Sequence, residues 1–291
     1  MTQSAGAAAG FGPVSIAVVV ALALFVGAAI WFARRPRLIP ALRGWIGDSA
    51  PARWVGERIG REGQMLARRF SVGEVAGLAL LVGLVVVGAL AAMFAEVLED
   101  VLDGEGIAVI DEPAAHRLAA HRDPWLTATL KAVTALGNPR ALTTLMAVVC
   151  AVALWRSRSW LPAVLGAIGG AGIGVVIVTA KAVVGRDRPA SPYAVLSEDG
   201  FSFPSGHATG TAAVALLCAW ILTRWVINSW PGKVLAWSIA IGLTGAVGFS
   251  RVYLGVHYVS DVLAGWLLGA AWAGAVMLVG SWWDQTRRAR R

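Results

Sequence analysis

The sequence predicts an all-α fold, a polytopic transmembrane helical bundle, and three observations carry that prediction. Of 291 residues, 57% are hydrophobic and only 14% are charged, against roughly 25% charged in soluble domains. The mean hydropathy is +0.68. Several apolar runs approach or exceed the ~20 residues a helix needs to cross a bilayer. A net charge of +8 would suggest nucleic-acid binding in a soluble protein. Here the arginines gather between spans and in the tail, so topology explains them and no nucleic-acid partner is expected. Cys150 and Cys218 lie inside apolar runs and read as packing residues, with no disulfide framework or cysteine zinc site.

Seven spans follow in order. The first, residues 14–33, ends in Trp31, Arg34, Arg35 and Arg37, an interfacial anchor with a positive flank. No positive n-region precedes it and no small-residue cleavage site follows, so it is expected to be retained as a span. Residues 34–70 hold nine arginines against Asp48, Glu57 and Glu62, with Trp45 and Trp54 among them. That mixture predicts a cytoplasmic loop with short interfacial helices. Span two covers 71–95. Residues 96–138 then reverse the charge, with eight acids against three bases, and are expected outside. Within them 112–120 and 124–136 read as short amphipathic helices, the second opened by Pro124 after Asp123. Span three, 139–155, ends at Arg156 and Arg158.

Span four, 159–180, carries G-G-A-G-I-G at 169–174. Small residues at this spacing permit close helix packing, and the run lacks the Lys-Ser/Thr ending of a phosphate loop. Span five is 208–227, with a turn at 228–233 marked by Pro231 and Gly232. Spans six and seven are 234–250 and 262–283, the last with Gly265 and Gly269 as a small-xxx-small pair. The chain thus divides into an N-terminal span with its arginine-rich loop (1–70), a membrane core (71–285) and a basic tail (286–291). Charge bias places the N-terminus outside and the C-terminus in the cytoplasm.

Three polar islands interrupt this pattern on the outer side: Lys181 to Pro189, the run F-P-S-G-H at 203–207, and Ser250 to Asp261. Lys181, Arg186, Arg188 and Arg251 break the charge rule there and call for an anionic partner, with phosphate a good candidate. Snorkelling would explain Lys181 alone, but a lysine with an arginine fork also suits a tetrahedral phosphate. Asp187 is placed to pair with Arg186 or to orient its neighbours. Ser205 reads either as an ordinary N-cap or, with Gly206 and the helix-start N–H groups, as an anion cradle. A cap does not account for His207 beside it. His257 and Asp261 are four apart and share a face if helical. Asp261 would then orient one ring nitrogen and leave the other as a nucleophile; the plainer reading is a pair that anchors span seven. His116 and His121 read as solvated loop residues. No HExxH run or carboxylate–histidine cluster points to a metal, and no cofactor is expected.

K-x6-R-P at Lys181 to Pro189, P-S-G-H at Pro204 to His207 and S-R-x5-H-x3-D at Ser250 to Asp261 resemble, in type, spacing and order, the three signature motifs of the type 2 phosphatidic acid phosphatase superfamily. The motifs cover residues 181–261, and the spans over 71–283 resemble that family's six-helix core, with span one an addition. The resemblance implies a multi-pass cell-membrane phosphatase acting at the outer face on a lipid phosphomonoester or diphosphate, such as phosphatidic acid, phosphatidylglycerol phosphate or a polyprenyl diphosphate. It implies that His257 attacks phosphorus and forms a phosphohistidine, that Asp261 polarises His257, and that His207 protonates the leaving oxygen and then activates water. Lys181, Arg188 and Arg251 would hold the equatorial oxygens, with Ser205 and Gly206 adding donors, without a metal. Phosphotransfer to another acceptor, non-catalytic binding of a lipid phosphate, and transport remain as alternatives. The near absence of charge inside the spans weighs against transport.

Overall fold

The computed structural model describes residues 12–37, 72–189 and 193–289. Among these residues nine α-helices follow in order: α1 (Pro13–Ala33), α2 (Val72–Asp103), α3 (Asp111–Ala120), α4 (Pro124–Ala135), α5 (Pro139–Ser157), α6 (Leu161–Val184), α7 (Gly206–Trp225), α8 (Trp230–Tyr253) and α9 (Val259–Ala289). A 3₁₀ turn, Gly106–Ile110, joins α2 to α3. Helices α1, α2 and α5 to α9 are long and apolar enough to cross a membrane, so all seven expected spans are present. The interfacial helices expected within 38–70 lie outside the described residues.

Two boundaries differ in ways that matter. Helix α2 runs on to Asp103, so Glu96, Glu99 and Asp100 are helical rather than part of an outer loop. The reason is that Val97, Leu98 and Val101 continue its apolar stripe and pack with Phe203, Ala264 and Leu267. Helix α6 runs to Val184, which puts Lys181 in its last turn.

Helix α7 is the axis of the bundle. Its sequence opens with Gly, Ala and Thr, and α5, α6, α8 and α9 all pack on it. Small side chains let backbones approach where lipid offers no hydrophobic drive for association. The expected Gly265–Gly269 pair does this: a Cβ at Gly269 would lie 2.5 Å from the Thr209 carbonyl oxygen, and one at Gly265 3.1 Å from that of Ser205. Helix α1 sits at the edge, with Phe25 over Gly242 of α8 and the Trp230 Nε1–H donating to the Phe32 carbonyl at 3.1 Å. At its other end the Ser15 hydroxyl bonds to Asp123.

One end of the bundle is closed by α3 and α4. Leu126 and Leu130 of α4 pack on Tyr253 and Leu254 of α8, and the Asp123 N–H donates to the Tyr253 hydroxyl at 2.9 Å. Helices α6 and α8 end here, and α7 and α9 begin here. The up-and-down topology therefore brings all three polar islands to one end.

The glycines of α6 divide into two sets. A Cβ at Gly169 would meet Leu217 at 2.4 Å and one at Gly172 would meet the Trp272 ring at 2.2 Å, whereas Gly170 and Gly174 face open space. The Trp272 ring cannot easily yield, because its Nε1–H donates to the Gly169 carbonyl at 2.9 Å. Gly172→Ala is therefore expected to destabilise the detergent-solubilised protein by about 1–3 kcal/mol through overpacking. Gly174→Ala should leave its thermal unfolding unchanged.

Candidate active site

Backbone hydrogen bonds lock the three islands together before any side chain acts. The Ser202 N–H donates to the Arg186 carbonyl at 2.7 Å, and the Ser205 N–H donates to that of Asp261 at 3.0 Å. Gly255 completes the turn between α8 and α9. Its φ is +72°, and a Cβ there would fall 1.8 Å from the Tyr193 carbonyl oxygen, so no other residue fits. Arg122, from the α3–α4 connection, ties the same region with its Nε–H on the Tyr253 carbonyl at 3.0 Å.

His257 lies in the turn before α9, not on it, so it and Asp261 do not share a helix face as expected. The pair forms by a different route. Asp261 occupies the third position of α9, and its Oδ2 reaches back to accept the Tyr258 N–H at 2.9 Å, the acidic half of a capping box. That brings Oδ2 to 3.3 Å from His257 Nδ1. The Ser202 hydroxyl also donates to Oδ2, and Arg186 holds Oδ1 at 2.8 Å. With Nδ1–H directed at the carboxylate, Nε2 carries the lone pair, and it lies 3.2 Å from Arg188 NH1.

The basic residues have distinct partners. Lys181 donates to the carbonyls of Phe201 and Ser202, and its stem lies 3.8 Å from where a Cβ on Gly206 would be. Arg188 donates to the carbonyls of Gly200 and Val256, each at 2.9 Å. Arg251, 1% exposed, donates to Thr134 Oγ1 at 3.0 Å and to Glu198 Oε1 at 2.6 Å. Arg186 does not pair with Asp187; it spans Asp261 and Asp111, each at 2.8 Å, because the helix ends that carry those two carboxylates converge on it.

Ser205 is the N-cap of α7, yet its side chain makes no capping bond. Its Oγ and the Nε of Arg251 are buried polar atoms without a partner among the described residues. A buried polar atom without a partner costs roughly 1–3 kcal/mol, a cost that Thr211 Oγ1, deeper in α7, shares. His207, in the first turn of α7, directs Nε2 to Asn138 Oδ1 at 2.8 Å. His116 and His121 are exposed on and just after α3, not in a loop proper.

Glu198, Asn138, Thr134, Asp111 and Arg186 reach this site without having been singled out as site residues by the motifs. Arg186 alone had a signal, as a basic residue on the outer side. Burial works against the Glu198 carboxylate, but the Arg251 hydrogen bond, followed by the charges of Arg251, His207 and Arg188, holds it below the usual range. Glu198 thus reports a strongly positive pocket.

Burial pushes the His257 imidazole down to about 4, outweighing the opposing pull of Asp261. The ring should stay neutral until the pH falls near 4. Asp261→Asn should lower the midpoint further, because the carboxylate favours the cation. Since an unfolded histidine protonates near 6.5, stability is held above that pH and lost as the pH falls through 4. Hydrogen exchange at the His257 C2 position, followed by mass spectrometry against pH, reads this directly. A midpoint near 6.5 would contradict it.

The sequence matches the PAP2 superfamily over residues 160–285, a stretch that holds all three islands. It is 32% identical over 160 residues to phosphatidylglycerophosphatase B of Bacillus subtilis, covering 55% of this chain and 77% of that protein. It is 34% identical over 169 residues to decaprenylphosphoryl-5-phosphoribose phosphatase of Mycobacterium tuberculosis, covering 57% of this chain and 86% of that one. Among solved structures, the transmembrane PAP2-type phosphatidylglycerolphosphate phosphatase from Bacillus subtilis superposes with a TM-score of 0.61 at 28% identity, over 69% of this chain and 96% of that one. With six core spans, four of them packed on a fifth, α7, a P-S-G-H run at the start of α7 and a His–Asp pair at the start of the next helix but one, the chain belongs to the PAP2 superfamily.

Proposed function

We propose that this membrane protein hydrolyses a lipid phosphomonoester or diphosphate at the outer face of the membrane, through a phosphohistidine on His257. The observation that carries this reading is the setting of His257: Nδ1 is held by Asp261 while Nε2 faces the Arg188 guanidinium. In the first step the Nε2 lone pair bonds to phosphorus as the bond from phosphorus to the leaving oxygen breaks, and His207 gives its proton to that oxygen. The Nδ1 proton stays on the ring, against Asp261. In the second step water attacks phosphorus, passes a proton to His207, and the bond between nitrogen and phosphorus breaks. Asn138 fixes the His207 ring. Lys181, Arg188 and Arg251, with the Ser205 hydroxyl and the Gly206 N–H at the head of α7, would take the phosphate oxygens. Glu198 holds part of that place and would yield to the phosphate.

A cleft of about 760 Å³ between α5, α6 and α7 supports a lipid substrate. Met146, Ala167, Gly170, Gly174 and Val178 line it, and His207 lies at its head. The open glycines of α6 keep it wide enough for a hydrocarbon chain. The two relatives described above are named as phosphatases of phosphatidylglycerophosphate and of decaprenylphosphoryl-5-phosphoribose, both phosphorylated lipids.

The purified protein should release inorganic phosphate from phosphatidic acid, phosphatidylglycerophosphate or undecaprenyl diphosphate in the presence of a chelator. His257→Ala should lower the rate by at least about 10³-fold, as loss of a nucleophile does. Activity that survives this substitution, or that stops with the chelator, would overturn the mechanism.

Orientation rests on charge. Arg156, Arg224 and Lys233 lie at helix ends and Arg158 in a connection, all at the end opposite the site, which the positive-inside rule assigns to the cytoplasm. Ser197 is exposed beside the site, and the two native cysteines are buried. Ser197→Cys should therefore react with a membrane-impermeant maleimide in intact cells. Labelling only after lysis would place the site inside.

A further inference from the structure

Arg186 and Asp111 lie outside the three islands' motif positions, yet five hydrogen bonds join them with Ser260 and Asp261 in one polar cluster. Asp111 opens α3 and is 2% exposed. Its Oδ1 accepts the Ser260 N–H at 3.0 Å and its Oδ2 accepts from Arg186 at 2.8 Å and from the Ser260 hydroxyl at 2.5 Å. Arg186 NH1 in turn donates to Asp261 Oδ1 and Ser260 Oγ, each at 2.8 Å. Its guanidinium carbon sits 4.5 Å from the centre of the Tyr258 ring, whose hydroxyl donates to Glu112 at 2.8 Å. Arg186 is thus turned away from the phosphate pocket and fixed by two carboxylates and an aromatic face.

We propose that Asp111 and Arg186 are positioning residues that act through Asp261, setting both its direction and the charge that His257 meets. The direction follows from geometry. Arg186 holds Oδ1, so the other oxygen is fixed towards Nδ1 and the Tyr258 N–H. The charge follows from counting: two buried carboxylates face one guanidinium, leaving one negative charge uncompensated. While His257 is neutral that charge has no counterpart in the cluster. Once Nε2 has bonded to phosphorus, with the Nδ1 proton retained, the ring is cationic and the cluster is neutral. An uncompensated buried charge is costly and a paired one much less so. The cluster therefore favours the covalent state and the transition states on either side of it over the resting state. This inference rests on the phosphohistidine reading above.

The trapped phosphoenzyme gives a test that a purely structural role would not pass. Asp111→Asn removes the excess negative charge, Arg186→Gln doubles it, and the two together restore it. The measurement is kcat and KM for phosphate release from phosphatidic acid, phosphatidylglycerophosphate and undecaprenyl diphosphate micelles, using the fastest of the three, with unfolding temperatures recorded in parallel. Each single variant is expected to lower kcat about tenfold or more with KM within about threefold, Asp111→Asn through the lost charge and Arg186→Gln through the lost hold on Asp261, and the double variant, which lacks both, is expected to fall at or below the slower single variant. Acid-labile phosphoenzyme trapped by rapid quench should fall in Asp111→Asn. Losses of kcat that track losses of unfolding temperature, unchanged phosphoenzyme in Asp111→Asn, or a rise in KM at constant kcat, would overturn the proposal and make the pair structural or phosphate-binding. His257→Ala separates this from the parent reading. If it is inactive while Asp111→Asn matches the parent protein, only the positioning role fails; if His257→Ala is fully active, the phosphohistidine reading itself fails.

Discussion

The buried Asp261 carboxylate is the point on which the site depends. It is fully enclosed and accepts from Arg186, Ser202 and the Tyr258 N–H while facing His257. Those donors come from the end of α6, the segment before α7 and the turn before α9. One carboxylate thus joins segments that the chain separates by dozens of residues. Leaving a charged group buried with its partners removed costs several kcal/mol, so the same bonds that aim Asp261 also hold the ends of three spans in register. Stability and chemistry share one set of contacts here.

That arrangement needs helices close enough for short side chains to bridge them. The small residues of α7 supply this proximity, with Gly265 and Gly269 of α9 against its backbone. Because α7 is nearly enclosed, its first turn is held firmly, and His207 and Ser205 inherit that rigidity. The far end of the bundle contributes packing by larger groups, such as Met146, Leu217, Ile221 and Val276. The graded size of the side chains along α7 therefore separates a chemically crowded end from a plainly apolar one.

The spans were legible because hydrocarbon leaves a chain few options, and a run of apolar residues of sufficient length is already a helix. The motif positions stood out because basic residues are unusual on the side of a membrane bundle that charge bias assigns to the outside. What spacing could not supply was the set of partners. Asn138 meets His207 across 69 residues, Asp111 meets Arg186 across 75, and Thr134 meets Arg251 across 117. None of these pairings has a periodicity to betray it. The His257–Asp261 pairing was anticipated, but its geometry was not, because a helix that starts two residues after His257 replaces a shared face with a backward-reaching cap. Sequence proximity offered Asp187 either as a partner of Arg186 or as a residue orienting its neighbours, whereas the fold presents Arg186 with two carboxylates from helix starts.

The partners of the basic residues sort them by role in a way that their positions do not. Arg186 is paired with two carboxylates. Lys181 and Arg188 bond mainly to backbone carbonyls. A carbonyl satisfies an N–H donor but contributes no net charge, so these two residues are fixed in place while their positive field survives. Arg251 stands between, with Glu198 as its one acidic partner and its Nε unmatched among the described residues. Glu198 lies in a connecting segment rather than a packed helix, so its carboxylate can be displaced where those of Asp111 and Asp261 cannot. A dianionic phosphate entering this ring would meet pre-oriented donors whose charge has been conserved by uncharged partners, with one displaceable carboxylate to remove. Such preorganisation is what lets a site stabilise developing charge without rearranging at the moment of reaction.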